Sequence, residues 1–177
     1  MAHIDLPEGE MGIMGPVIQY PKTGELLRQI KDEIIRGESI LSVGEREMIA
    51  LYVSARNECV YCSNSHGGTV ERLLGVDRDM LAEVLCNVET APISELMKSL
   101  LSIAGNVQLG GRTVTDAQVA RARAAGADDK AIHDTVLIAA MFCAFNRYVD
   151  GLDTPMPDDD RYGVKPQDLQ VAHAPRD

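Results

Sequence analysis

The sequence has no tryptophan, only two phenylalanines and 4% aromatic residues in all. Its interior must therefore be built from aliphatic side chains and its eight methionines, which suit an adaptable core or an apolar pocket equally well. No cluster of basic residues is present: 17 Lys and Arg against 27 Asp and Glu leave a formal charge of −10, which argues against nucleic acid as a partner. No apolar run approaches the ~20 residues that span a bilayer, and Met1-Ala2-His3-Ile4-Asp5 lacks the basic region and apolar stretch of a signal peptide. A soluble cytoplasmic protein with no membrane contact is expected. Sustained period-two alternation is also missing, and there is no internal repeat or low-complexity block. The expectation is an all-α fold in a single domain over 1–177, with extended arms at about 1–22 and 152–177.

What is present is a series of helix signals. Breakers from Pro7 to Pro21 make the first 22 residues read as an arm. Thr23 then caps an amphipathic stretch (Leu27, Ile30, Ile34, Ile35) that Gly37 ends. Ser42 and Glu45 have capping-box spacing ahead of a helix that runs toward Asn57. Asn57 is read as the N-cap of the next helix, bent against the last, with Gly75 as its stop. Asp77 opens another helix, Pro92 occupies the first turn of Ile93 to Ala104, and Thr113 or Thr115 caps Asp116 to Ala125. Asp128 starts the longest apolar segment, Ala131 to Val149, expected to be the central buried helix. Four prolines and Asp158-Asp159-Asp160 after residue 153 indicate an arm or disordered tail.

Only four cysteines occur, and in a reducing compartment these are expected to be free, metal-bound or redox-cycling rather than structural cross-links. Cys59, Cys62 and His66 fall on one face of a helix, since i, i+3 and i+7 return to nearly the same angle. Four readings compete. In a dithiol redox site, His66 accepts the Cys62 proton and Cys59 condenses with an oxidised Cys62. A structural zinc site would need a fourth ligand from Cys86, Cys143 or a carboxylate. The cysteines would alternatively be small buried hydrophobes. A Cys-His hydrolase leaves the second cysteine unexplained. Glu47, in the otherwise apolar run Met48-Ile49-Ala50-Leu51, is placed to orient His66 across the bend; pairing with Arg46, Arg56 or a residue of another helix on a solvated face is the alternative.

The run from Leu41 to His66, with Glu47, Cys59-Val60-Tyr61-Cys62 and His66 in order, resembles the AhpD-like alkylhydroperoxidase branch of the carboxymuconolactone decarboxylase family. Asn146-Arg147-Tyr148-Val149-Asp150-Gly151-Leu152 is similar to the end of the long helix in its peroxidase-related members. The resemblance implies an AhpD-like helical fold, a homo-oligomer, and a thiol peroxidase acting on hydrogen or alkyl hydroperoxides without a cofactor or metal. It further implies that Cys62 is the peroxidatic cysteine, Cys59 the resolving one, His66 the base and Glu47 the carboxylate of the proton relay. An external dithiol would restore the pair, and in the family that reductant can be a protein-bound lipoyl group. Tyr61 stands where the alkylhydroperoxidase proper has a second histidine. The decarboxylase branch typically lacks the cysteine pair, which argues against lactone decarboxylation.

The two lines of reasoning pull apart on the attacking sulfur. A helix N-terminus favours a thiolate at Cys59, whereas the i+4 histidine favours Cys62, and a directed proton acceptor that can also protonate the leaving alcohol decides for Cys62. A non-enzymatic redox sensor or metal-holding CxxC/His site on the same fold is the alternative. Cys86 and Cys143 are expected in the core, His133 at the surface or an interface, and Arg147 with Asp150 in an intrahelical or intersubunit ion pair.

Overall fold

Capping chemistry sets most of the helix boundaries in the computed structural model, which describes residues 2–156. The helices are α1 (Met14–Gln19), α2 (Pro21–Arg36), α3 (Val43–Arg56), α4 (Val60–Leu74), α5 (Arg78–Cys86), α6 (Glu95–Leu109), α7 (Asp116–Ala124) and α8 (Asp129–Gly151), with a 3₁₀ turn at Gly111–Thr113. No strand occurs among the described residues, and the fold is all-α. At the start of α3, Ser42 Oγ accepts from the Glu45 amide at 3.2 Å while Glu45 Oε2 accepts from the Ser42 amide at 2.8 Å, a reciprocal cap worth about 1 kcal/mol. Asp77, Thr115 and Asp128 accept from the first-turn amides of α5, α7 and α8 in the same way. Gly75 ends α4 at φ 65, a left-handed position that glycine takes without steric cost.

Several boundaries differ from the sequence expectation. Part of the expected N-terminal arm is helical: α1 accommodates Pro16 in its first turn, and Pro21 sits at N1 of α2, so these prolines begin helices rather than prevent them. Thr23 instead donates to the Tyr20 carbonyl at 3.1 Å. Ser94, not a first turn at Pro92, starts α6, accepting from the Met97 amide at 3.2 Å. The expected C-terminal arm beyond residue 156 lies outside the described residues.

The centre of the core is α3 rather than α8. Every residue from Arg46 to Ala55 is buried, whereas α8 buries one face (Ile138, Ala139, Phe142, Phe145) and exposes Val136 and His133. The charges of Arg46 and Glu47 concealed this in the sequence. Arg46 is buried because its Nη1 donates to the Gly37 carbonyl at 2.8 Å, satisfying the end of α2. Around α3 pack α4, α6 and α8, while α2 lies against α3 and α8 and carries α1. None of the described helices is long and apolar enough to cross a membrane.

Candidate active site

The site is built at the corner between α3 and α4. Asn57 does not cap α4; it ends α3 in right-handed conformation, and Glu58 turns the chain at φ 61. Cys59 then becomes the N-cap residue of α4, with its amide bonded to the Ser54 carbonyl at 3.1 Å. The reason is tertiary. The Asn57 amide is drawn away from α4, donating to Asn146 Oδ1 at 2.8 Å and accepting from Gln108 at 3.0 Å. Asn146, fully buried in α8, donates in turn to Ser54 Oγ at 3.1 Å. This amide network, which the sequence did not single out, pins the corner that carries the cysteines.

The shift of α4 places Cys62, not Cys59, within the first helical turn, so the unpaired amides and positive end of the dipole act at Cys62. Both cysteines are free thiols, with Cys59 0% and Cys62 4% exposed. They touch: Cys59 shares a hydrogen bond with Cys62, and this bond, together with burial and the Cys62 charge, pushes the Cys59 pKa far up. Cys62 lines a pocket of about 310 Å³ that also takes in His66 and Glu47.

The α3–α4 corner brings Glu47 and His66 together. Glu47 Oε2 lies 2.5 Å from His66 Nδ1, and Arg36 Nη2 is 3.8 Å from Glu47 Oε1. Burial by itself would raise the Glu47 carboxyl, but the His66 hydrogen bond and the charges of His66, Arg36 and Lys31 outweigh it and hold the pKa below the ordinary value. An ionised Glu47 accepts from Nδ1–H, which leaves Nε2 as the basic nitrogen of the ring. Phe142 stacks edge-on against the imidazole at 4.7 Å and fixes its plane. The alternative pairings of Glu47 with Arg46 or Arg56 give way to this arrangement.

The rest of the pocket is apolar on one side, with Ile13, Val17, Leu27 and Phe145, and cationic at the α2 edge, with Arg28, Lys31 and Arg36. Tyr61 lines it as well and is held by Gly12, whose φ of 53 and missing side chain let the ring lie directly against the backbone. Cys86 and Cys143 stand apart from the pair: Cys86 is exposed at the end of α5, contrary to the core position expected, and Cys143 is half-buried, 3.6 Å from the Asn57 amide nitrogen. Among the described residues no three His, Cys, Asp or Glu side chains converge as metal ligands. Arg147 donates to the Cys143 carbonyl at 2.8 Å, while Asp150 turns to the Cys59 thiol.

Residues 21–92 match the carboxymuconolactone decarboxylase family. No curated protein matches the chain. Among solved structures, an uncharacterised peroxidase-related protein from a Silicibacter species is 27% identical, with a TM-score of 0.75 over 84% of this chain and 78% of that one. A second, from Ralstonia eutropha, described as an alkylhydroperoxidase AhpD core and an uncharacterised peroxidase-related protein, is 24% identical, with a TM-score of 0.77 over 89% of this chain and 84% of that one. A third, from Agrobacterium tumefaciens, described as of unknown function and a putative antioxidant defence protein AhpD, shares the fold at 18% identity, with a TM-score of 0.72 over 84% of this chain and 99% of that one. The family match runs from α2 through the α3–α4 corner, and the chain shares its helical architecture with these solved structures well beyond it.

Proposed function

We propose that the protein is a thiol peroxidase that reduces hydrogen or alkyl hydroperoxides through a dithiol–disulfide cycle of Cys59 and Cys62. One observation carries this reading: Cys62 opens onto the same pocket as the bonded His66–Glu47 pair, while a second thiol, Cys59, is in contact with it. Nε2 of His66 draws the Cys62 proton, and the thiolate attacks the terminal peroxide oxygen. The O–O bond breaks, the leaving alkoxide takes the proton from His66 to become alcohol, and Cys62 is left as a sulfenic acid. Cys59 then displaces hydroxide to form the disulfide, and an external dithiol, such as a protein-bound lipoyl group, reduces it.

The apolar wall favours an organic hydroperoxide over hydrogen peroxide. Met14, Ile18, Tyr20 and Leu26 on α1 and α2 are exposed, a surface that a second copy of the chain would cover, and a cytoplasmic homo-oligomer is the working form we infer. The test is peroxide consumption under excess dithiothreitol. Sustained turnover by the wild type and none by Cys62→Ser are expected. Equal consumption by the two proteins would overturn the proposal.

A further inference from the structure

The peroxidase cycle leaves the Cys59 proton without an acceptor. His66 and Glu47 stand with Cys62 at the pocket, and Cys59 is fully buried. Over Cys59 lies the last turn of α8, where Val149 packs against both cysteines and the carboxylate of the next residue, Asp150, comes near enough to interact with the Cys59 thiol. That turn is held in place from both sides. The chain after it folds back through the Thr154 amide to the Val149 carbonyl at 3.3 Å, and the N-terminal segment ties on through His3 to the Leu152 carbonyl at 2.9 Å and Gly12 to the Pro155 carbonyl at 2.8 Å. Backbone bonds so placed hold this helix end, and with it the Asp150 carboxylate, over the cysteines.

We propose that Asp150 is the base of the resolving step, accepting the Cys59 proton as that sulfur attacks the Cys62 sulfenic acid. This inference rests on the peroxidase reading for its substrate but concerns a chemistry that any activated Cys62 sulfur would share. The proton leaves Cys59 for the Asp150 carboxylate. The freed electron pair forms the bond to Cys62 Sγ, the S–O bond breaks, and hydroxide departs and is protonated to water. Cys59 sulfur is oxidised and the sulfenic sulfur reduced, with no other redox partner in the step. Asp150, an exposed residue, returns its proton to solvent. Partial burial raises the Asp150 carboxyl above its ordinary value, despite the lowering effect of the Cys59 interaction, and a base so shifted is stronger. The arrangement divides the labour: His66 serves Cys62 from the pocket and Asp150 serves Cys59 from the opposite helix end.

The test separates resolution from peroxide chemistry. Reduced protein is mixed with one equivalent of 5,5′-dithiobis(2-nitrobenzoate): attack by Cys62 releases a first coloured thiol, and attack by Cys59 on the mixed disulfide releases a second. Asp150→Asn should leave the first phase near wild type and slow the second by about 10²-fold, with Asp150→Glu recovering much of the loss. A parallel run with cumene hydroperoxide and dimedone should trap more Cys62 sulfenic acid in Asp150→Asn than in wild type. A second phase in Asp150→Asn within about twofold of wild type overturns the role of Asp150 whatever the peroxide arm gives. A slowed second phase with no thiol loss to peroxide upholds Asp150 and rejects the peroxidase reading instead.

Discussion

Glu47 and His66, on either side of the corner between α3 and α4, meet Oε2 to Nδ1 at 2.5 Å. Their side chains are only 5% and 16% exposed, so the pair is shielded from competing water. His66→Gln should lower the rate of Cys62 oxidation by roughly 10²-fold and Glu47→Gln by about tenfold, because the first removes the proton acceptor and the second only its orienting charge. Stopped-flow thiol loss against cumene hydroperoxide reads both, with circular dichroism as the control for folding.

The same bond makes stability depend on pH. Glu47 titrates below its ordinary 4.5 in the folded state, so its contribution is complete above about pH 4.5 and is lost as pH falls through the folded-state value. The melting temperature of wild type should exceed that of Glu47→Gln most at neutral pH, with the gap closing in acid. A gap that holds constant down to about pH 3 would contradict the assignment.

Asn146 is the keystone of the cysteine corner. Truncation to Ala removes the acceptor of the Asn57 amide and the donor to the buried Ser54 Oγ, which should cost about 1–3 kcal/mol in urea unfolding. Disulfide formation between Cys59 and Cys62 should slow in the same variant, since the network sets where α4 begins.

Gly12→Ala should be felt in the pocket. A Cβ there overlaps the Tyr61 ring, and the backbone is left-handed, so about 1–3 kcal/mol of destabilisation is expected in thermal unfolding. Displacing Tyr61 should alter the rate with cumene hydroperoxide more than that with hydrogen peroxide, because Tyr61 lines the pocket while Cys62 and its base stay in place.

Local signals were legible where local chemistry decides. Ser42 with Glu45, and Asp77, Thr115 and Asp128, cap the helices they were expected to cap. The sequence also put Glu47, Cys62 and His66 within reach of one another, since helical spacing and one bend suffice for that. It misread Asn57, a good cap residue by type, because partners from α6 and α8 claim its amide. Glu58 at positive φ could not be read from a residue type that rarely adopts it. The intrahelical Arg147–Asp150 pair does not form, since Arg147 turns to the Cys143 carbonyl and Asp150 toward Cys59. The buried α3 was hidden by Arg46 and Glu47, whose side chains find their partners, the Gly37 carbonyl and His66, outside the helix.

The most direct test of the account is to locate the oxidised sulfur. Reduced Cys59→Ser and Cys62→Ser proteins are each treated with one equivalent of cumene hydroperoxide in the presence of dimedone, and the adduct is mapped by mass spectrometry. The account predicts a single adduct on Cys62 of the Cys59→Ser protein, formed at close to the rate of wild-type thiol loss, and none on Cys59 of the Cys62→Ser protein. An adduct on Cys59, or none on either protein while wild-type thiols persist under excess peroxide, would contradict it.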